Sequence, residues 1–240
     1  MKIITFPDLS KQVRIYKKIV QYVPGKRKRY KNVFDNELAD LIDCSFEEYF
    51  EHVHDRSLKR TKSKIYNYAK CNEWDYFVTF TFDGEKVNRY DFDECSNKLS
   101  KWLNNLRRSS PGLSYIVVPE QHKDGAWHFH GLFAGLDESE IVWTGKYVIK
   151  KVCKKGCRTR FVKTDQKIYR IGRYKLGWMT ATQIQDKQRV VTYITKYVTK
   201  DMMSGLTGKK RYWASRNLQL PTEEKLLFWI RPAALFYPVS

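Results

Sequence analysis

Acidic residues are scarce where the chain is most basic. Residues 141–220 hold 20 Lys or Arg and only three Asp or Glu. Residues 71–140 run the other way, at a net −5, and residues 1–70 carry +7 of the overall +19. So concentrated a basic field with interleaved aromatics fits a polyphosphate partner, and nucleic acid is favoured over an anionic membrane because no strongly amphipathic anchor helix is visible. Cysteine is sparse: Cys44, Cys71, Cys95, Cys153 and Cys157 are an odd and scattered five, which excludes a disulfide framework. Cys153 and Cys157 find no second pair and read as free thiols. No run of about 18 apolar residues is present, and Met1-Lys2-Ile3-Ile4-Thr5 lacks the regions of a secretory leader. A soluble protein of a reducing cytoplasm, with no membrane partner, is expected.

What is present is aromatic: 13 Phe, 16 Tyr and 7 Trp in 240 residues, enough for a substantial core. The stretch from Ser45 to Ala69 is predicted helical, with Ser45 and Glu48 as a capping box. Its Arg56 and Arg60 are basic enough to lie on DNA. Asp75–Phe82 is predicted as a strand, with Phe77, Thr79 and Thr81 on one face and Val78, Phe80 and Phe82 on the other. Residues 91–108 read as an amphipathic helix with Cys95, Leu99, Trp102, Leu103 and Leu106 on its apolar stripe. Ser114–Glu120 is a second strand, and the Asp124-Gly125 turn leads back into a third.

That third strand is Trp127-His128-Phe129-His130-Gly131-Leu132-Phe133. Alternation puts His128 and His130 on one face, two fixed points of a metal site or two ordinary polar-face residues. The hairpin can set Glu120 opposite His128, so that one carboxylate and two imidazoles converge. His122, in the loop, is a further donor or an exposed side chain. Residues 137–180 read as a basic excursion of short strand-like pieces, among them Trp143–Ile149 and Arg158–Val162, with Lys150, Lys151, Arg158 and Arg160 as DNA contacts. Gly177–Ile184 reads as another strand, and a helix starts near Asp186.

Val190–Met202 reads as helix throughout, with Val191, Ile194, Val198 and Met202 forming a stripe that docks on the sheet. Tyr193, Tyr197, Lys196 and Lys200 fall on the opposite side, facing a cleft. A phenol, with its ordinary pKa near 10, attacks a phosphodiester only with help from a metal and nearby cations. Packing or base stacking is the plainer role for both tyrosines.

Together these pieces resemble the rolling-circle (HUH) endonucleases. Glu120 with His128-Phe129-His130 resembles the histidine–hydrophobe–histidine motif, and Tyr193-Ile194-Thr195-Lys196-Tyr197 resembles the tyrosine motif of the two-tyrosine initiators of small single-stranded DNA phages. Phe77–Phe82 resembles the first motif, and Arg211–Leu218 is also similar to such phage proteins. The resemblance implies an α+β fold: an antiparallel sheet of about five strands flanked by helices, ferredoxin-like or RRM-like in topology. It implies Mg²⁺ or Mn²⁺ on Glu120, His128 and His130, with Tyr193 and Tyr197 as nucleophiles and Lys196 assisting.

The implied activity is site-specific nicking and rejoining of single-stranded DNA at a replication origin through a 5′-phosphotyrosine, in a host bacterial cytoplasm. Host helicase and polymerase are the expected partners, because Gly205–Lys210 falls two residues short of a phosphate-binding loop. A transposase, a relaxase-like plasmid nickase and a non-catalytic nucleic-acid-binding module are the alternatives. The expected division is a basic, mostly helical extension at 1–70, the nuclease domain at 71–220 with its insertion at about 137–180, and a tail at 221–240.

Overall fold

The computed structural model describes residues 2–15, 46–152, 160–199, 206 and 208–225. The chain divides into two units, residues 1–43 with 220–240 and residues 44–219. In the first, β1 (Lys2–Thr5) is flanked by β2 (Lys11–Arg14) and β10 (Thr222–Lys225), both antiparallel to it. Lys2 and Glu223 form an ion pair at 2.7 Å within that sheet.

The second unit holds the elements in the order α1 (Phe46–Cys71), β3 (Tyr76–Phe82), α2 (Phe92–Ser109), β4 (Ser114–Gln121), β5 (Trp127–Ala134), β6 (Ile141–Val152), β7 (Arg160–Ile171), β8 (Gly177–Gln183), α3 (Lys187–Lys196) and β9 (Trp213–Ala214). The expected α+β class with an antiparallel sheet is what forms, and the sheet has seven strands, ordered β6-β7-β8-β3-β5-β4-β9. Counted in chain order, β3, β4, β5 and β8 lie in the spatial order 4-1-3-2, that of a ferredoxin-like core. The helix sequence departs from that pattern. Between β5 and β8 the chain makes a long hairpin, and α3 follows β8 instead of preceding it.

That hairpin corrects the reading of residues 137–180 as short pieces. β6 and β7 are twelve residues each and pair along their length, with register shifts between Trp143 and Lys146 and between Tyr147 and Ile149. The shifts break the even alternation that a sequence pattern relies on.

Two faces of the sheet have different coverings. Val78, Phe80 and Phe82 alternate onto one face, where α2 supplies Phe92, Trp102 and Leu103. Phe80 sits among rings, with centroids 5.3 Å from Trp102, 5.8 Å from Phe133 and 5.4 Å from Tyr174. α2 starts where expected because the Asp91 carboxylate accepts from the backbone N–H of Asp93 and Glu94. On the other face α3 packs on β5 and against α1, whose Leu58, Ile65 and Ala69 are buried. The end of α1 is tied to the connection into β3 by the Trp74 indole N–H, which donates to the Ala69 carbonyl at 2.8 Å. The proposed cap at Ser45 lies outside the described residues.

β9 covers the outer edge of β4, pairing Trp213 with Val117 and Ala214 with Ile116. The Trp213 indole is buried and donates to the Ser100 hydroxyl at 2.8 Å. No helix among the described residues is long and apolar enough to cross a membrane.

A candidate active site on one sheet face

β4 and β5 form a hairpin whose turn Gly125 closes at φ 86°, a value L side chains rarely adopt. Its register pairs Glu120 with His128 and Val118 with His130. β3 then pairs Thr81 with His128 and Thr79 with His130 on the other side. Cross-strand partners share a face, so the carboxylate, the two imidazoles and the two hydroxyls form two adjacent rows.

The contacts follow from this register. His130 Nε2 lies 2.7 Å from Glu120 Oε2, and its Nδ1 lies 3.2 Å from Thr79 Oγ1. His128 Nδ1 lies 3.3 Å from Thr81 Oγ1. Each ring is therefore held at Nδ1 by a threonine from β3. Burial pushes His130 below the ordinary imidazole range, outweighing the Glu120 hydrogen bond that acts upward. Burial lowers His128 as well, and the neighbouring His122 adds to that shift. Both rings are thereby kept neutral, the form that binds metals. As the side chains stand, no three His, Cys, Asp or Glu among the described residues are gathered to hold a metal ion, and Glu120 and His130 contact each other directly.

α3 brings the tyrosines to the same face. Asp186 caps it, accepting from the Arg189 N–H at 3.0 Å. The helix ends at Lys196 with Tyr197 as its cap. That corrects the expectation of a helix continuing to Met202, and residues 200–205, Lys200 among them, lie outside the described residues.

The Tyr197 ring stacks on His130, centroids 3.8 Å apart and planes 11° apart, and is only 8% exposed. Tyr193 is 46% exposed; its ring meets Tyr197 edge-on at 5.2 Å and Phe77 at 5.2 Å. The expectation that both phenols look away from the docked side is thus corrected. Tyr197 is itself part of the docked side, because the cleft it faces is the sheet. Burial first, then the Tyr193 hydrogen bond and the negative charge nearby, pushes the Tyr197 phenol well above its ordinary range. The two tyrosines are chemically unequal. The exposed Lys196 Nζ lies 6.0 Å from the centre of the Tyr193 ring.

His122 is exposed, its Nδ1 3.1 Å from Asp124 Oδ1 and its ring centroid 5.4 Å from that of His128. Arg56 and Arg60 are exposed on α1, and Lys150, Lys151 and Arg160 are exposed on the β6–β7 hairpin, while Arg158 lies outside the described residues along with Cys153 and Cys157. Thr79 and Thr81 were legible as lying on the noncore face of β3, but not as partners of the histidines. The signal was there: Thr-Phe-Thr and His-Phe-His share a period of two and pair position for position.

An antiparallel sheet with imidazoles, a carboxylate and phenols on one face is suited to handling a phosphodiester. Residues 75–202, just over half of the chain, match the replication-associated protein ORF2 family, and the chain belongs to that family. Membership gives it a role in the initiation of DNA replication, with DNA as its partner. Comparison with curated proteins and with solved structures found no match.

Proposed function

We propose that this protein nicks and rejoins single-stranded DNA at a replication origin, as a metal-dependent HUH endonuclease of the two-tyrosine type. The observation that carries this reading is the stack of Tyr197 on His130, which joins the tyrosine pair to the Glu120 and His128 row.

Tyr193 makes the first cut. It is exposed, and the Lys196 ammonium 6.0 Å from the centre of its ring can meet the negative charge of an incoming phosphate. Its Oη attacks phosphorus and the bond from phosphorus to the 3′ oxygen breaks. The phenol's proton is lost and the departing 3′ oxygen takes one up, leaving a 5′-phosphotyrosine and a free 3′ hydroxyl. One phosphodiester has replaced another, so a 3′ hydroxyl can reverse the step and rejoin the strand. Tyr197, protonated in its stack, is held for the second cut.

Glu120, His128 and His130 offer one oxygen and two nitrogen donors, a set that fits Mn²⁺ and accommodates Mg²⁺. The ion, when bound there, supplies positive charge to the non-bridging oxygens of the phosphate. Thr79 and Thr81 fix the two rings by their Nδ1 atoms, which leaves the Nε2 atoms as the donors, that of His130 being in contact with Glu120 Oε2. A host polymerase would extend the 3′ hydroxyl and a host helicase would unwind the duplex.

The test mixes the protein with Mn²⁺ and single-stranded DNA from the intergenic region of its own genome, then resolves covalent adducts. Tyr193→Phe combined with Tyr197→Phe should abolish the adduct, while each single change leaves some cleavage. An adduct in the double variant refutes the tyrosine assignment, and undiminished cleavage in EDTA or by His128→Ala refutes the metal assignment.

A further inference from the structure

Trp178, on β8, is 77% exposed, more than any other tryptophan among the described residues. Its position in the sheet gives that exposure a meaning. β3 pairs Thr81 with Trp178 on one side and with His128 on the other, and His128 pairs with Glu120. Glu120, His128, Thr81 and Trp178 therefore form one row straight across four strands, on one face. At about 4.8 Å per strand, Trp178 stands about 10 Å from His128 along that row. The strands are drawn close here: a Cβ at Gly177 would lie 2.3 Å from the Thr81 carbonyl oxygen, so the residue before Trp178 must be glycine.

Beyond Trp178 the same face continues onto the β6–β7 hairpin. β8 pairs Thr182 with Ile168, and Thr182 lies an even number of residues from Trp178, so Ile168 and Arg170 share the face of Trp178. Across β6 their partners are Lys146 and Val142, and further out Lys150 pairs with Val162 and Val152 with Arg160. Lys146, Lys150, Arg160 and Arg170 are all exposed. The one acid of β7, Asp165, lies within the second register shift, between Lys163 and Lys167. Lys163 and Lys167 are engaged with the Tyr147 and Trp143 rings, at 4.1 and 5.4 Å.

We propose that Trp178 is a stacking platform for a base of single-stranded DNA a few nucleotides from the scissile phosphate, and that the strand runs on toward Arg170 and Lys146. The occupant is single-stranded because a base inside a duplex has both faces covered and has none to offer the indole. It is a nucleic acid because the exposed charged side chains next beyond the indole on this face, Arg170 and Lys146, are both cationic. The proposal rests on the nicking site for its location, yet it concerns binding and is measured without cleavage.

The experiment measures equilibrium binding of labelled single-stranded oligonucleotides, in EDTA, to the full chain and to Trp178→Ala and Trp178→Phe. Trp178→Ala should bind about tenfold or more weakly, and Trp178→Phe should recover most of the loss. Walking one abasic nucleotide along the oligonucleotide should find a position that weakens the natural protein but not Trp178→Ala. Unchanged affinity of Trp178→Ala overturns the proposal, as does an abasic profile that is the same with and without the indole. Unchanged affinity accompanied by a lower sedimentation coefficient would assign the indole to self-association instead and overturns it equally. If the stacking signature appears and no covalent adduct ever forms, the nicking assignment fails while Trp178 stands.

Discussion

Replacing Thr79 by valine exchanges one hydroxyl for a methyl group of nearly the same shape, in a strand that valine suits well. The hydroxyl lies 3.2 Å from His130 Nδ1. His130 is only 6% exposed, so water cannot readily take the lost partner's place. The stability cost combines a lost hydrogen bond and a poorly solvated ring nitrogen, about 1–2 kcal/mol. For a unit of this size that lowers Tm by about 2–8 °C. The functional cost is larger in proportion. A ring freed at Nδ1 can turn, and loss of such an orienting partner reduces metal affinity about 10- to 100-fold. Titration of the full chain with Mn²⁺, followed calorimetrically beside a thermal melt, measures both quantities. Thr79→Ser keeps the hydroxyl and should keep most of the affinity. Natural Mn²⁺ affinity in Thr79→Val, or an equal loss in Thr79→Ser, would refute the reasoning that Thr79 acts by holding His130.

Two further outcomes rest on the other face of the sheet. Phe80→Ala removes a ring with no exposed surface and three aromatic neighbours, and should cost about 3–5 kcal/mol in urea unfolding; a loss below about 1 kcal/mol would show that the α2 layer collapses into the gap. Burial pushes the Cys95 thiol up to about 12, so at pH 8 iodoacetamide should label it only after denaturation. The stabilising difference is fully present below the unfolded thiol's pKa of about 8.5 and is lost as pH rises from there toward 12. Prompt labelling of native Cys95 at pH 8 would contradict its burial.

Much of the site was readable along the chain because it is built from short-period patterns. β3, β4 and β5 alternate residue by residue, and the Asp124-Gly125 turn joins two of them with almost no slack. That sets Glu120 opposite His128 without any knowledge of the remaining chain. The α2 stripe was legible for the same reason, since its apolar residues and its Asp91 cap lie within a few turns of one another.

The tyrosines show where such reading stops. Helical spacing groups Tyr193 with Tyr197, but it cannot say that the helix ends at Lys196, nor what covers each ring. Those depend on the packing of α3 over β5, between residues more than sixty positions apart, and the outcome is one exposed phenol and one buried against His130. The pairing of Thr79 with His130 and of Thr81 with both His128 and Trp178 is of the same kind. By itself the sequence determined which side chains are candidates for the chemistry and, on β3, β4 and β5, which face of its own strand each occupies. Only the tertiary structure decided which of them meet, because strand order and helix docking are settled by long-range burial that no local pattern records.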